Sequence, residues 1–369
     1  MRRTWVWISL AALQILLLAC TTGSTQVEGG SPASALPAGG PVSTSVELGP
    51  DVTSIDAPRV AIDGDGGVHL IWWDNTIGEG VARHATVVGG SVGDPDVIGE
   101  GDLTGSATVL VRPTGEICAF FEGWLDEADL SSNGFYMRCL SGEIWSGPDL
   151  VTSVGITTNY DPAFDASGVV RVIATTPTSS VTYEGRELSE GDESTFPAQL
   201  AIDSDGAYHV VWQELADIFE LNHRVSVDGG ATWSPIESLE GTEFFVPNPT
   251  LIAASDGSIH VFYDTSVPFH RVWTSTGGWG EIEVGPTCGG DQAYALGPED
   301  VPVTACANIG GVHLAMVANG AWTEFETLEG STDAPAGPIS IAVGPDGTRH
   351  LLWVASTDPP SLRYATVLS

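Results

Sequence analysis

PAQLAIDSDGAYHVVW, residues 197–212, is an apolar strand, an Asp-Gly turn and a second strand rich in β-branched and aromatic side chains. The same order returns at 58–72 (PRVAIDGDGGVHLIW), 247–262 (PNPTLIAASDGSIHVF) and 338–353 (PISIAVGPDGTRHLLW). The turn can be placed in seven units, at Gly66, Gly115, Gly168, Gly206, Gly257, Asp300 and Gly347, with spacings of 38 to 53 residues. Each spacing is the length of one four-stranded antiparallel blade. The pattern predicts an all-β chain folded as a seven-bladed β-propeller. The units near 162 and 292 are degenerate, which leaves six blades as the alternative.

Third and fourth strands follow in the same units. Residues 222–227 lead through a hairpin to 234–239, and residues 312–317 lead through Asn319-Gly320 to 323–328. The last unit ends after a third strand, SLRYATV at 361–367, with no fourth. A strand-like segment at 43–49, STSVELG, stands alone at the other end of the domain and would complete that blade. Pairing the two termini hides a sheet edge and closes the ring.

The hairpin at 226–233 reads Ser226-Val227-Asp228-Gly229-Gly230-Ala231-Thr232-Trp233. Ser226 and Asp228 can bond backbone N–H groups of a tight turn, the two glycines supply positive φ, and Trp233 folds back as an apolar plug. This stretch resembles the Asp box, S-x-D-x-G-x-T-W, of bacterial-neuraminidase-type repeats, the BNR repeats of sialidase-like β-propellers. The resemblance covers residues 42–369, with one intact box. Enzymes of that family have six blades and grip the sialate carboxylate with three arginines. They also carry an R-I-P motif near the first blade and use a Tyr–Glu pair with an Asp acid/base. Here Pro58-Arg59-Val60 departs from R-I-P. Five arginines, Arg83, Arg138, Arg224, Arg271 and Arg363, fall in the third strands of the repeat, which leaves Arg59 near the binding face.

The first twenty residues stand apart. A charged start, an apolar run and Leu17-Leu18-Ala19-Cys20 resemble the signal peptide and lipobox of a bacterial lipoprotein, with Cys20 as the lipidated N-terminus. That resemblance implies export and lipid anchoring to the cell envelope, at the outer membrane or cell surface. Residues 21–41, rich in Gly, Ser, Pro and Ala, read as a flexible tether. Four cysteines remain, an even number in an exported chain, and nearest neighbours give Cys118 with Cys139 and Cys288 with Cys306.

All 12 basic residues are arginine, against 48 acidic ones, for a net charge of −36. Such a surface repels nucleic acid and polyanionic glycans. The partner it suits is a neutral glycan or a protein, and a monomer is expected. His69, His209, His260 and His350 recur at one place in the second strand, which marks packing between blades rather than a metal site. Asp74 with Arg83, Glu122 with Arg138, Glu214 with Arg224 and Asp264 with Arg271 read as repeated cross-strand ion pairs. The Asp-rich turns offer two carboxylates each, too few for Ca2+, so no cofactor and no metal are expected.

In a propeller, the loops entering the innermost strands and those joining second to third strands share the face around the channel. The residues there suited to ligand binding are Arg59, Trp124, Tyr160, Asp161, Phe245, Asn248, Asp264 and His270. No catalytic residue is assigned. A binding or scaffold module is the leading reading, and an exo-α-sialidase-type glycoside hydrolase is the alternative.

Overall fold

The computed structural model describes residues 44–46, 52–76, 79–99, 108–124, 133–153, 159–176, 180–189, 194–195, 197–215, 218–242, 249–264, 267–332 and 336–368. They form seven antiparallel sheets arranged as the blades of one propeller. The innermost strands are Val52–Ile62, Thr108–Val111, Asn159–Phe164, Gln199–Ile202, Thr250–Ala253, Asp291–Leu296 and Ala336–Val343. They define blades 1 to 7 in chain order. Among the described residues, no helix is long and apolar enough to cross a membrane.

Every turn between first and second strands is closed by a positive-φ residue at the position the repeat predicts. Six are glycines, and the seventh is Asp300 at φ 57°. Asp300 pays for that backbone with its side chain, which accepts bonds from the amide and hydroxyl of Ser255 in the neighbouring turn, at 3.0 and 2.7 Å. Asx caps stiffen other turns: Asp63 Oδ1 accepts from the amides of Asp65 and Gly67, and Asp203 Oδ1 from those of Asp205 and Ala207.

Outside blade 3, whose Val170 and Val172 are only partly covered, the second strands are largely buried on both faces, which explains their apolar runs. In blade 1, Leu70 and Trp72 pack toward blade 7, while Ile71 and Trp73 pack toward blade 2. The core is therefore a set of seams between blades. Two disulfides, Cys118–Cys139 and Cys288–Cys306, hold blades 2 and 6. Cys118 faces Cys139 directly across neighbouring strands.

The ring closes as the lone terminal strand predicts. Thr44–Val46 pairs with Ser361–Val367, with Thr44 opposite Tyr364 and Val46 opposite Leu362. Deleting residues 42–49 should leave the apolar face of blade 7 open and abolish cooperative thermal unfolding. A truncation that melts at the wild-type temperature would show that closure contributes nothing.

Candidate functional site

Three third-strand arginines do not stand across from the expected carboxylates. Arg138, Arg224 and Arg271 stand opposite Ala119, Val210 and Val261, whereas the carboxylates pair elsewhere: Glu122 faces Phe135, Glu214 faces Glu220 and Asp264 faces Pro268. Each of these guanidinium groups works as a clamp. Arg138 Nε donates to the Ser146 carbonyl of its own blade at 2.8 Å, and Nη1 to the Ile98 carbonyl of the preceding blade at 2.6 Å. Arg224 spans Ser234 and Leu188 in the same way, and Arg271 spans Gly280 and Leu239. The planar fork suits two carbonyls at once, which a lysine could not reach together. Arg83 and Arg363 sit at a different register, opposite Trp72 and Trp353. They are not part of the clamp series.

A tryptophan accompanies the clamp. Trp145, Trp233, Trp279 and Trp322 leave the hairpins between third and fourth strands and lie edge-on to rings of the preceding blade: His84, Tyr183, His223 and His270. Trp233 is thus a wedge between blades 3 and 4 more than a plug under its own hairpin. Within the 226–233 hairpin, Ser226 Oγ accepts the Gly230 amide and donates to Asp228 Oδ1, both at 2.8 Å. Asp228 takes the Thr232 hydroxyl at 2.6 Å and amide at 2.8 Å, and these donors hold its carboxyl at about 2. Gly230 has φ 89°, and a Cβ there would run into the Tyr183 ring. All of these groups are spent on the fold.

His69, His209 and His260 form buried pairs with third-strand histidines, whereas His350 Nδ1 meets the Tyr364 hydroxyl at 2.7 Å. In blade 4, Trp279 Nε1 donates to His223 Nδ1 at 3.2 Å. That fixes the neutral tautomers: His223 Nε2–H donates to His209 Nδ1, and His209 Nε2–H to Asp203 Oδ2. Blade 1 repeats the order through His84, His69 and Asp63. Blade 5 runs it backwards, because His270 Nδ1 meets the Glu283 carboxylate at 2.9 Å and His260 Nε2 ends on the Ser258 hydroxyl. His270 is thereby buried in blade 5 rather than displayed on the channel rim. Among the described residues, no group of three or more His, Cys, Asp or Glu is arranged to hold a metal ion.

On the channel face, Arg59 and Asp161 come from the innermost strands of blades 1 and 3. Arg59 Nη1 donates to the Pro58 carbonyl at 3.0 Å. Burial pulls its pKa down, and the Asp161 charge opposes that. Asp161 Oδ2 accepts the Leu200 amide at 2.7 Å. Burial lifts its carboxyl to about 7, against the pull of that amide and of Arg59. The two thus sense each other electrostatically. Asp264, also raised by burial, accepts the Tyr294 hydroxyl at 2.9 Å. Tyr294 and its neighbour Gln292 (2.8 Å) were not evident from the sequence, because their blade is the most degenerate. Tyr160 is stacked on Phe135 of blade 2, with ring centroids 4.8 Å apart. Trp124 ends the second strand of blade 2, but its side chain lies outside the described ones. Cys20, Phe245 and Asn248 lie outside the described residues altogether.

No protein-family model matches the chain, and no curated protein matches its sequence. Solved structures do. The chain is similar to a protein of unknown function from Dyadobacter fermentans, with a TM-score of 0.53 and 12% identity over 89% of this chain and 98% of that one. The NanB sialidase of Streptococcus pneumoniae aligns at a TM-score of 0.48 and 10% identity, over 89% of this chain and 70% of that one. The Trypanosoma rangeli sialidase aligns at 0.47 and 12%, over 85% and 55%. The likeness is one of propeller fold.

Burial holds His223 at about 3, with the His209 imidazole a further cause. A group depressed in the folded state contributes stability that is whole above its unfolded value, 6.5, and is lost as pH falls toward the folded one. The stability difference between wild type and His223→Gln, read from urea unfolding, should be constant above pH 6.5 and shrink steadily toward pH 3. A difference independent of pH would mean that the pair is not neutral in the fold.

Proposed function

We propose that the protein is a binding module whose channel face takes up a neutral glycan or an uncharged segment of a protein. One observation carries this reading: the allocation of arginine. Arg138, Arg224 and Arg271 are clamps. Arg112 bonds Glu116, Arg171 bonds Asp165, and Arg186 donates to the Ala231 carbonyl. Arg349 is buried beside Met316. Arg83 and Arg363 lie in third strands, opposite Trp72 and Trp353. Among the described residues, Arg59 is therefore the arginine carried by an innermost strand, and the Asp161 charge acts on it. A single guanidinium opposed by a carboxyl is a poor seat for an anionic sugar and a good one for hydroxyl and amide groups.

The second reading, a glycoside hydrolase of exo-α-sialidase type, draws on the contact between the Tyr294 hydroxyl and Asp264. It is the tyrosine–carboxylate chemistry that the resemblance to sialidases implies. Burial drives the Tyr294 pKa upward, and the Asp264 charge adds to that, so the phenol is a weak nucleophile as it stands.

The purified domain should bind members of a neutral-glycan array or an uncharged peptide library, weaken about tenfold in Arg59→Ala, and leave a fluorogenic sialoside intact. Sialoside turnover that disappears in Tyr294→Phe would replace the binding reading with the hydrolase.

We also infer export and acylation at Cys20, supported by the apolar leader and the Leu17-Leu18-Ala19-Cys20 sequence. In bacterial cells fed radiolabelled palmitate, the full chain should take up label and Cys20→Ala should not. Equal labelling of both would remove the anchor.

A further inference from the structure

Among the described residues, the seam between blades 2 and 3 lacks the arginine clamp and the tryptophan wedge that close seams 1–2, 3–4 and 4–5. Seams 6–7 and 7–1 lack them too, but those are filled by buried residues from both of their blades, which this one is not. The third strand of blade 3, Val181–Tyr183, is three residues long, and Tyr183 pairs with Ile173 at its last position. In blades 2, 4 and 5 the next register position holds a clamp arginine. Here it holds Glu184, at φ 47°, and the chain turns back. The hairpin that would carry a tryptophan down onto blade 2 is therefore not built. What remains is a groove of about 450 Å³, lined by Val151 and Thr152 of blade 2 and by Val170, Val172, Thr182 and Glu184 of blade 3.

Burial shows the same deficit. The hydrophobic cluster at this seam has fully buried members from blade 2 alone, while Tyr160, Phe164, Val170 and Val172 of blade 3 are only partly covered. Val151 also occupies the outer-strand bulge of blade 2, the place that Ile98 and Leu239 hold in blades 1 and 4. Those two offer their carbonyls to a clamp arginine from the next blade. Blade 3 sends none to Val151, because Arg171 bonds Asp165 and Glu184, and Arg186 reaches toward blade 4.

We propose that this groove is a docking site for an extended peptide segment of another protein, carrying an aromatic side chain beside an arginine. The reason is complementarity with what the molecule uses elsewhere: an indole edge-on in the seam and a guanidinium on the outer-strand carbonyl. Charge points the same way. The Glu184 side chain is 67% exposed at the groove, where it also meets the lining Arg171 at 3.5 Å; Glu187 is exposed beyond it, and the whole chain carries −36. The chain's own residues 21–42 hold neither an aromatic nor a basic side chain, and Arg2, Arg3, Trp5 and Trp7 belong to the leader that the proposed export removes, so on that reading the occupant is another protein.

The test uses a fluorescein-labelled hexapeptide, Gly-Ser-Trp-Arg-Gly-Ser, titrated into the domain and read by anisotropy. Controls replace its tryptophan with alanine or its arginine with glutamate. Saturable binding should fall by about tenfold with either control peptide. It should fall similarly in Val170→Trp, which fills the groove, and in Glu184→Arg, which reverses its charge. Circular dichroism melting guards the interpretation: if Val170→Trp does not fold, Glu184→Arg decides alone, because its side chain is solvent-facing. Absence of saturable binding to wild type, or binding unchanged in a folded groove variant, overturns the proposal. Loss of neutral-glycan binding in these variants, without peptide binding, would overturn it as well and assign the groove to sugar. Channel-face binding, read through Arg59→Ala, is untouched by either groove variant, so the two sites fail separately.

Discussion

No blade of this protein can bury itself. Each second strand is apolar on both sides, so each sheet needs a neighbour on either hand, and a row of such sheets is satisfied only by a ring. Everything else in the molecule serves or exploits that constraint. The tryptophan wedges fill the outer part of a seam where the sheets splay apart. The arginine clamps satisfy carbonyls at outer-strand bulges, which would otherwise be left without partners as the sheets curve away. The histidine pairs do the corresponding work lower in the seam.

Those histidine pairs show how polar groups can sit in such a core. Two neutral imidazoles in series carry one acceptor and one donor outward, so the chain needs a donor at one end and an acceptor at the other. The blade 4 pair is met by Trp279 of blade 5 and by its own Asp203; the blade 5 pair is met by Ser258 and Glu283 with the direction reversed. The same sequence position therefore tolerates either order of tautomers; in blades 4 and 5 both ends are met, while in blade 1 the buried His84 Nδ1 has no hydrogen-bond partner. Burial keeps these rings uncharged: His84 and His260 are held at about 4.

The repeat was legible because its signals are local. A positive-φ turn residue, an apolar run and a β-branched second strand lie within twenty residues, and seven blades with terminal closure followed from them. The cross-strand ion pairs were misread for a related reason. Sequence spacing places a carboxylate and an arginine in one hairpin, but the register sets them four residues apart along the second strand, with Glu214 opposite Glu220 and Arg224 opposite Val210. The short third strand of blade 3 was hidden in the same way: a Glu-Gly turn at 184–185 looks like any hairpin until its register is known. On the channel face, Arg59 and Asp161 could be placed because they precede strong turns. Tyr294 could not, since its blade replaces the Asp-Gly turn with Pro298–Asp300.

Among the described residues, the strand that locks the ring is also the first. Thr44–Val46 offers three paired positions to the C-terminal strand, and it follows directly on the segment that precedes the domain. Any mechanical load arriving through that segment would fall on those pairs before it reached any other blade. A pull arriving there would act as a latch release rather than a tug on the whole body.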